Sequence, residues 1–204
     1  RTQSALLECM EERQVTVDGI TMPLEAPLLV MATQNPIDIQ GTFPLPEAQV
    51  DRFLMKLKMG YPQPAEGVSI LRRFKDQDPI ASLGPVLDRA ELLEAQRSYT
   101  AVHVTDDLLA YMVALAEATR VHPDLMLGVS PRGTQSLLRA VQVLAILRGR
   151  DYVTPDDIKE LAQPVLAHRL VVKGALKLKT GMAEEILDGI LRKVPVPAES
   201  PVTV

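Results

Sequence analysis

The sequence predicts an α/β unit followed by an all-helical one, and three observations carry that reading. An apolar run, Leu28 to Ala32, ends in Thr33, Gln34 and Asn35 and is followed by a loop through Pro36 and Gly41 and a helix restarting at Pro46. This strand–loop–helix order belongs to parallel α/β sheets, whose ligands gather outside the carboxyl ends of the strands. Asp18-Gly19 lies between two arms of alternating apolar residues, which predicts a β-hairpin. From residue 88 onward, helix-start signals recur with no strand pattern between them.

The elements follow in order. Residues 2–13 read as a helix with Leu6, Leu7 and Met10 on one side and Glu8, Glu11 and Glu12 largely on the other. Val15, Val17, Ile20, Met22 and Leu24 alternate across the hairpin. Beyond the central strand, the helix at Pro46 carries Asp51 and Arg52, and Leu54 to Met59 alternates as a further strand. The Pro- and Gly-rich residues 60–67 read as a turn, and the domain boundary falls there: a first unit over 1–63 and a second over 64–204. Ser69 to Phe74 reads as helix and residues 75–87, with Pro79, Gly84 and Pro85, as linker. Asp88 with Glu91 forms a capping box, Thr105 caps a second helix, Ser130-Pro131 opens a third, and Thr154-Pro155 a fourth. A fifth helix spans 182–193, and the tail beyond it frays.

Composition narrows the function. The chain has 204 residues, 47% of them hydrophobic but only 3% aromatic and none of them Trp, so its core must be aliphatic. A net charge of −4 argues against a nucleic-acid footprint. With one cysteine, Cys9, the chain can form no internal disulfide, which fits a reducing, cytoplasmic setting. No apolar run approaches the ~18 residues of a membrane span, and no secretory pattern opens the chain. His103, His122 and His168 are not spaced as metal ligands, so no metal site is expected.

Three residues could carry chemistry. Asn35 ends the central strand, where a side-chain amide can orient a water and donate to a phosphate oxygen; taken alone, it fits an Asn-Pro turn better. Arg52 offers an always-charged fork for oxyanions; taken alone, it fits a surface arginine better. Arg132 stands in the first turn of the helix after Ser130-Pro131, where a cation opposes the helix dipole unless an anion is bound. Asp38, Glu47 and Asp51 read as loop and helix-start charges, Asp151, Asp156 and Asp157 as a solvated helix start, and Arg148, Arg150 and Arg169 as ordinary surface residues that could otherwise line a basic rim.

In sequence order, TQSALLECMEERQVTVDG, ATQNP, a PLPEAQ helix ending in DRF, SPRGTQSLLRA and RGRDYVTPDDI closely resemble the MoxR branch of the AAA+ ATPases. The likeness covers most of the chain and weakens after about Lys173. It implies part of a P-loop AAA+ core, a parallel sheet with a β-hairpin insertion, followed by a helical lid. It also implies that Asn35 is the sensor 1 residue, Arg52 an arginine finger directed at the neighbouring subunit's ATP, and Arg132 the sensor 2 residue. Whether Arg132 serves its own subunit or the next stays open.

The resemblance further implies ATP and Mg2+ as cofactors of an ATP-hydrolysing parent, and a homo-oligomeric ring expected to be a hexamer. It implies chaperone-like remodelling or maturation of clients such as von Willebrand A-domain proteins or metalloenzymes. The phosphate-cradling Gly-x-x-x-x-Gly-Lys-Ser/Thr loop (Walker A) and a strand ending in an acidic pair (Walker B) are not in the sequence. In the family both precede the matching region, so the chain is expected to be a fragment, inactive alone. Alternatives are a magnesium-chelatase-type ATPase subunit, a non-catalytic AAA+ lid interaction module, and a DNA-binding helical domain, which the acidic charge disfavours.

Overall fold

Helix α1 (Thr2–Glu12) runs into strands β1 (Gln14–Val17) and β2 (Ile20–Pro23), which pair antiparallel with Val17 opposite Ile20. Asp18 and Gly19 both adopt positive φ, 51° and 80°, as a two-residue turn of this hand requires. The Glu8 carboxylate fastens the hairpin to the helix, accepting from Gln14 Nε2 at 3.1 Å, Thr16 N at 3.3 Å and Thr16 Oγ1 at 2.5 Å. These bonds, led by the Thr16 hydroxyl, hold the Glu8 pKa below its ordinary value. This computed structural model describes residues 2–34, 45–76, 78–174, 179 and 181–197.

The central stretch differs from expectation. Among the described residues, Leu28 to Ala32 pairs with no strand, and the sheets are two antiparallel pairs, so the parallel sheet is not displayed. Burial nonetheless alternates along the run: Leu28 and Val30 are half-buried while Leu29 and Met31 are exposed, at 77% and 83%. A lone extended segment has no ladder partner for its backbone groups. Helix α2 (Glu47–Val50) is a single turn, so Arg52 lies in the turn after it and not on the helix. Leu54 to Met59 forms no strand; Leu57 and Met59 are exposed, and Lys56 N donates instead to Pro164 O at 2.8 Å. Helix α3 (Pro64–Asp76) begins inside the expected turn, with proline at its first position, where a missing N–H costs nothing. After α3 a single 3₁₀ turn, Pro79–Ser82, is the regular element of the linker.

The helix caps behave as their residues dictate. Asp88 and Glu91 close a reciprocal box, at 2.8 and 3.0 Å, that starts α4 (Arg89–Ser98). Thr105 caps α5 (Asp106–Arg120), and Ser130 caps α6 (Pro131–Leu147) by accepting from Gly133 N at 3.1 Å. Between α5 and α6 sits β3 (Leu125–Leu127). Helix α7 (Pro155–Leu166) is followed by β4 (Val171–Val172), which pairs antiparallel with β3. The second unit is therefore not purely helical, because two short apolar strands close its edge. Helix α8 (Met182–Lys193) occupies the span expected of the fifth helix.

Among the described residues, every fully buried one lies between Val102 and Ile190. Leu115, Leu137, Val141, Ile158, Val165, Leu166 and Leu187 form its centre, an aliphatic core as the composition required. One buried carboxylate corrects the sequence reading. Asp157 is wholly buried, not solvated: it accepts from Arg148 Nη1 at 2.8 Å, Arg150 Nη1 and Nη2 at 2.9 and 2.6 Å, and Thr154 N and Oγ1 at 2.8 and 2.9 Å. Burial alone would raise its pKa, but these bonds, Arg150's foremost, outweigh it and bring the value down to about 2.

Candidate functional site: two arginines on one carboxylate

The turn after α2 and the first turn of α6 meet beside the last turn of α1. Arg52 Nη2 lies 2.9 Å from Glu11 Oε2, and Arg132 Nη1 lies 2.9 Å from Glu11 Oε1. Two arginines 80 positions apart in the chain thus share one carboxylate, one guanidinium to each oxygen. Arg132 is half exposed, Arg52 and Glu11 rather less so. Asn35 lies outside the described residues, so the structure does not place it against them.

The scaffold behind the pair is buried and polar. Arg169, whose side chain is only 1% exposed, donates from Nε to Asp51 Oδ1 at 3.0 Å. It also donates to the Asp51, Phe53 and Leu54 carbonyls at 3.2, 2.6 and 3.3 Å, to Ser136 Oγ at 3.3 Å and to Val165 O. Five donors in a planar fork suit a segment whose carbonyls point inward and lack ladder partners. Asp51 also accepts from Ser130 Oγ, at 3.2 and 3.1 Å, so the hydroxyl that caps α6 ties that cap to the residue before Arg52. Gly133 makes room for this packing: a Cβ there would meet Arg169 Cδ at 2.9 Å and Val129 Cγ1 at 2.8 Å. His168 Nε2 stands 3.2 Å from Phe53 O and 2.8 Å from Arg169 Nη1. Burial, with the neighbouring Arg169 charge, lowers its pKa to about 4.

Sequence reasoning singled out Arg52 and Arg132 and missed Glu11, Asp51 and Arg169. The first is a helix-face glutamate whose partners are remote in sequence. Arg169 reads as a surface cation because charged residues are rarely buried unless paired. The one available signal was Gly133, a glycine inside a helix start, where close packing is a common reason for glycine.

Chemically, two forked cations around one carboxylate can equally hold an oxyanion with several acceptor oxygens, such as a terminal phosphoryl group. Those residues fit the phosphate end of ATP. Among the described residues no cluster of three or more His, Cys, Asp or Glu side chains could hold Mg2+. Among them, too, no helix is long and apolar enough to cross a membrane.

Residues 1–55 match the family model of the ATPase family associated with various cellular activities, and residues 117–190 match the AAA lid domain. The chain is 47% identical over 199 residues to the YeaC protein of Bacillus subtilis, covering 98% of the chain and 62% of YeaC. It is 40% identical over 206 residues to the chaperone MoxR1 of Mycobacterium tuberculosis, covering 97% of the chain and 54% of that protein. A crystal structure from Cytophaga hutchinsonii, assigned as an ATPase, superposes with a TM-score of 0.89 at 36% identity, covering 96% of this chain and 62% of that one. The chain therefore spans between half and two thirds of the length of these relatives. From the motifs, the lid and these likenesses together, the chain belongs to the MoxR family of AAA+ ATPases.

Proposed function

We propose that residues 1–63 are the part of the AAA+ core bearing sensor 1 and the arginine finger, and residues 64–204 the connector and lid bearing sensor 2. The whole protein would hydrolyse ATP with Mg2+ in a homo-oligomeric ring, expected to be a hexamer, in the cytoplasm. It would spend that energy on remodelling or maturing client proteins. Asn35 would orient the attacking water, Arg52 would stabilise charge growing on the γ-phosphoryl group, and Arg132 would hold the phosphates. The observation that carries this reading is the convergence of Arg52 and Arg132 on one carboxylate. It also favours an answer the sequence leaves open. A finger acts on the neighbour's nucleotide, and an arginine that shares a carboxylate with it reaches the same nucleotide, so Arg132 would act in trans as well.

The test uses the full-length protein. Arg52→Ala should bind ATP nearly normally and hydrolyse it poorly, because its contact strengthens only as charge develops in the transition state. Arg132→Ala should lose at least about tenfold in affinity or turnover, the typical weight of a charge-assisted hydrogen bond. Mixed with a variant unable to bind nucleotide, each arginine variant should recover activity through hybrid interfaces. Recovery for Arg52→Ala but not for Arg132→Ala, in rings proven to exchange subunits, would return Arg132 to its own subunit. The chain by itself should show no magnesium-dependent turnover.

A further inference from the structure

Glu11 lies in the last turn of α1, where the helix dipole disfavours a carboxylate and where the helix supplies no cation of its own. Its two oxygens are taken by two arginines, each from a different part of the chain. Glu8, one turn earlier, is spent on the hairpin, so the two acids divide the work of α1 between them. Without Glu11, two guanidiniums that converge on a common point would repel each other.

The contrast with the scaffold decides what Glu11 can do. The Asp51–Arg169 pair has one partner only 1% exposed, and that arginine is held by several carbonyls as well. The Glu11 pairs involve side chains 25–51% exposed, in the range where ion pairs are weak and water competes. A contact of that kind is strong enough to orient side chains and weak enough to be exchanged. A phosphoryl group carries more charge than a carboxylate and offers more acceptor oxygens, so it wins the exchange where a monovalent carboxylate does not.

Building on the assignment of Arg52 and Arg132 to a phosphate, we propose that Glu11 is an internal substitute for that phosphate. It keeps both guanidiniums aimed at one point, and its displacement sets the affinity threshold of the site. The site accordingly selects polyphosphate over singly charged anions, and the affinity for the incoming group is lower than the bare arginine pair would give.

The experiment titrates inorganic tripolyphosphate into the purified chain at low ionic strength, with heat as the readout and far-ultraviolet circular dichroism as the check on fold. It compares the wild-type chain with Glu11→Gln, Glu11→Ala and the double variant Arg52→Ala/Arg132→Ala. Both Glu11 variants should bind tripolyphosphate about three- to tenfold more tightly than wild type, as the loss of two weak competing pairs implies. The double arginine variant should lose binding. Equal or weaker affinity in the Glu11 variants, with binding still dependent on the arginines, overturns the role of Glu11 and leaves the phosphate assignment standing. Absence of binding in wild type and Glu11 variants alike overturns both.

Discussion

Arg169 Nε sits 3.0 Å from Asp51 Oδ1, and this contact joins residues 118 positions apart. It differs in kind from the Arg52–Glu11 contact of similar length. One arginine is sealed within the protein and the other is partly exposed. The first is sealed from water, and the second still meets it.

Replacing Arg169 should therefore be costly. Arg169→Met keeps the bulk but leaves the Asp51 carboxylate with Ser130 Oγ alone and takes Arg169's N–H groups from the carbonyls of Asp51, Phe53 and Leu54. Removing one partner of a buried, hydrogen-bonded pair typically costs about 3–5 kcal/mol. Urea denaturation should show a loss of that size. Arg52→Met should cost under about 1 kcal/mol, as exposed pairs do. A double-mutant cycle of Asp51→Ala with Arg169→Ala should return a large coupling energy.

Asp157→Asn should destabilise the second unit by about 2–4 kcal/mol, because an amide N–H would face guanidinium donors it cannot satisfy. The native carboxylate also has a pH signature. Its folded pKa, about 2, lies below the ordinary 3.8. Its contribution, about 2 kcal/mol, is thus complete above the ordinary value and is lost as pH falls through the folded one. Acid denaturation of wild type and Asp157→Asn, compared from pH 5 to pH 2, should converge at the acid end.

His168 gives a second pH dependence in a higher window. Its folded pKa is lowered from 6.5 to about 4, by burial first and then by Arg169. The unfolded chain binds the proton more readily between those values, so stability is present above pH 6.5 and falls as the solution is acidified towards pH 4. Allowing for its partial exposure, the change is about 1–2 kcal/mol. His168→Gln should flatten the pH dependence of the urea midpoint between pH 4.5 and 6.5, while wild type should rise across the same interval.

What the sequence revealed follows from distance along the chain. The hairpin, the caps of α4 to α7 and the span of α8 were legible because each is decided by residues within one or two turns of each other. Arg132 was legible for the same reason, being marked by Ser130 and Pro131. Glu11 was not, since the residue that makes it part of a site is 121 positions away. Arg169 and Asp157 were misread because composition describes a lone charge, whereas burial depends on partners brought in from elsewhere. Strands β3 and β4 were missed because three and two residues are too few to show a period. Leu54 to Met59 alternated without forming a strand, because Lys56 gave its N–H to Pro164 rather than to a sheet.

The fully buried residues occur between 102 and 190, yet Arg52 precedes that interval. It is fastened there through Arg169, while Arg132 opens one of the interval's own helices. Of the polypeptide between them in sequence, the part over residues 57–98 contributes no buried side chain among the described residues, whereas α5, further along, lies in the core. The spacing of the two arginines is thus inherited from the buried core and not from residues 57–98. Insertions, deletions and drift within residues 57–98 should be close to neutral for the grip, while one methyl group added at Gly133 would not be.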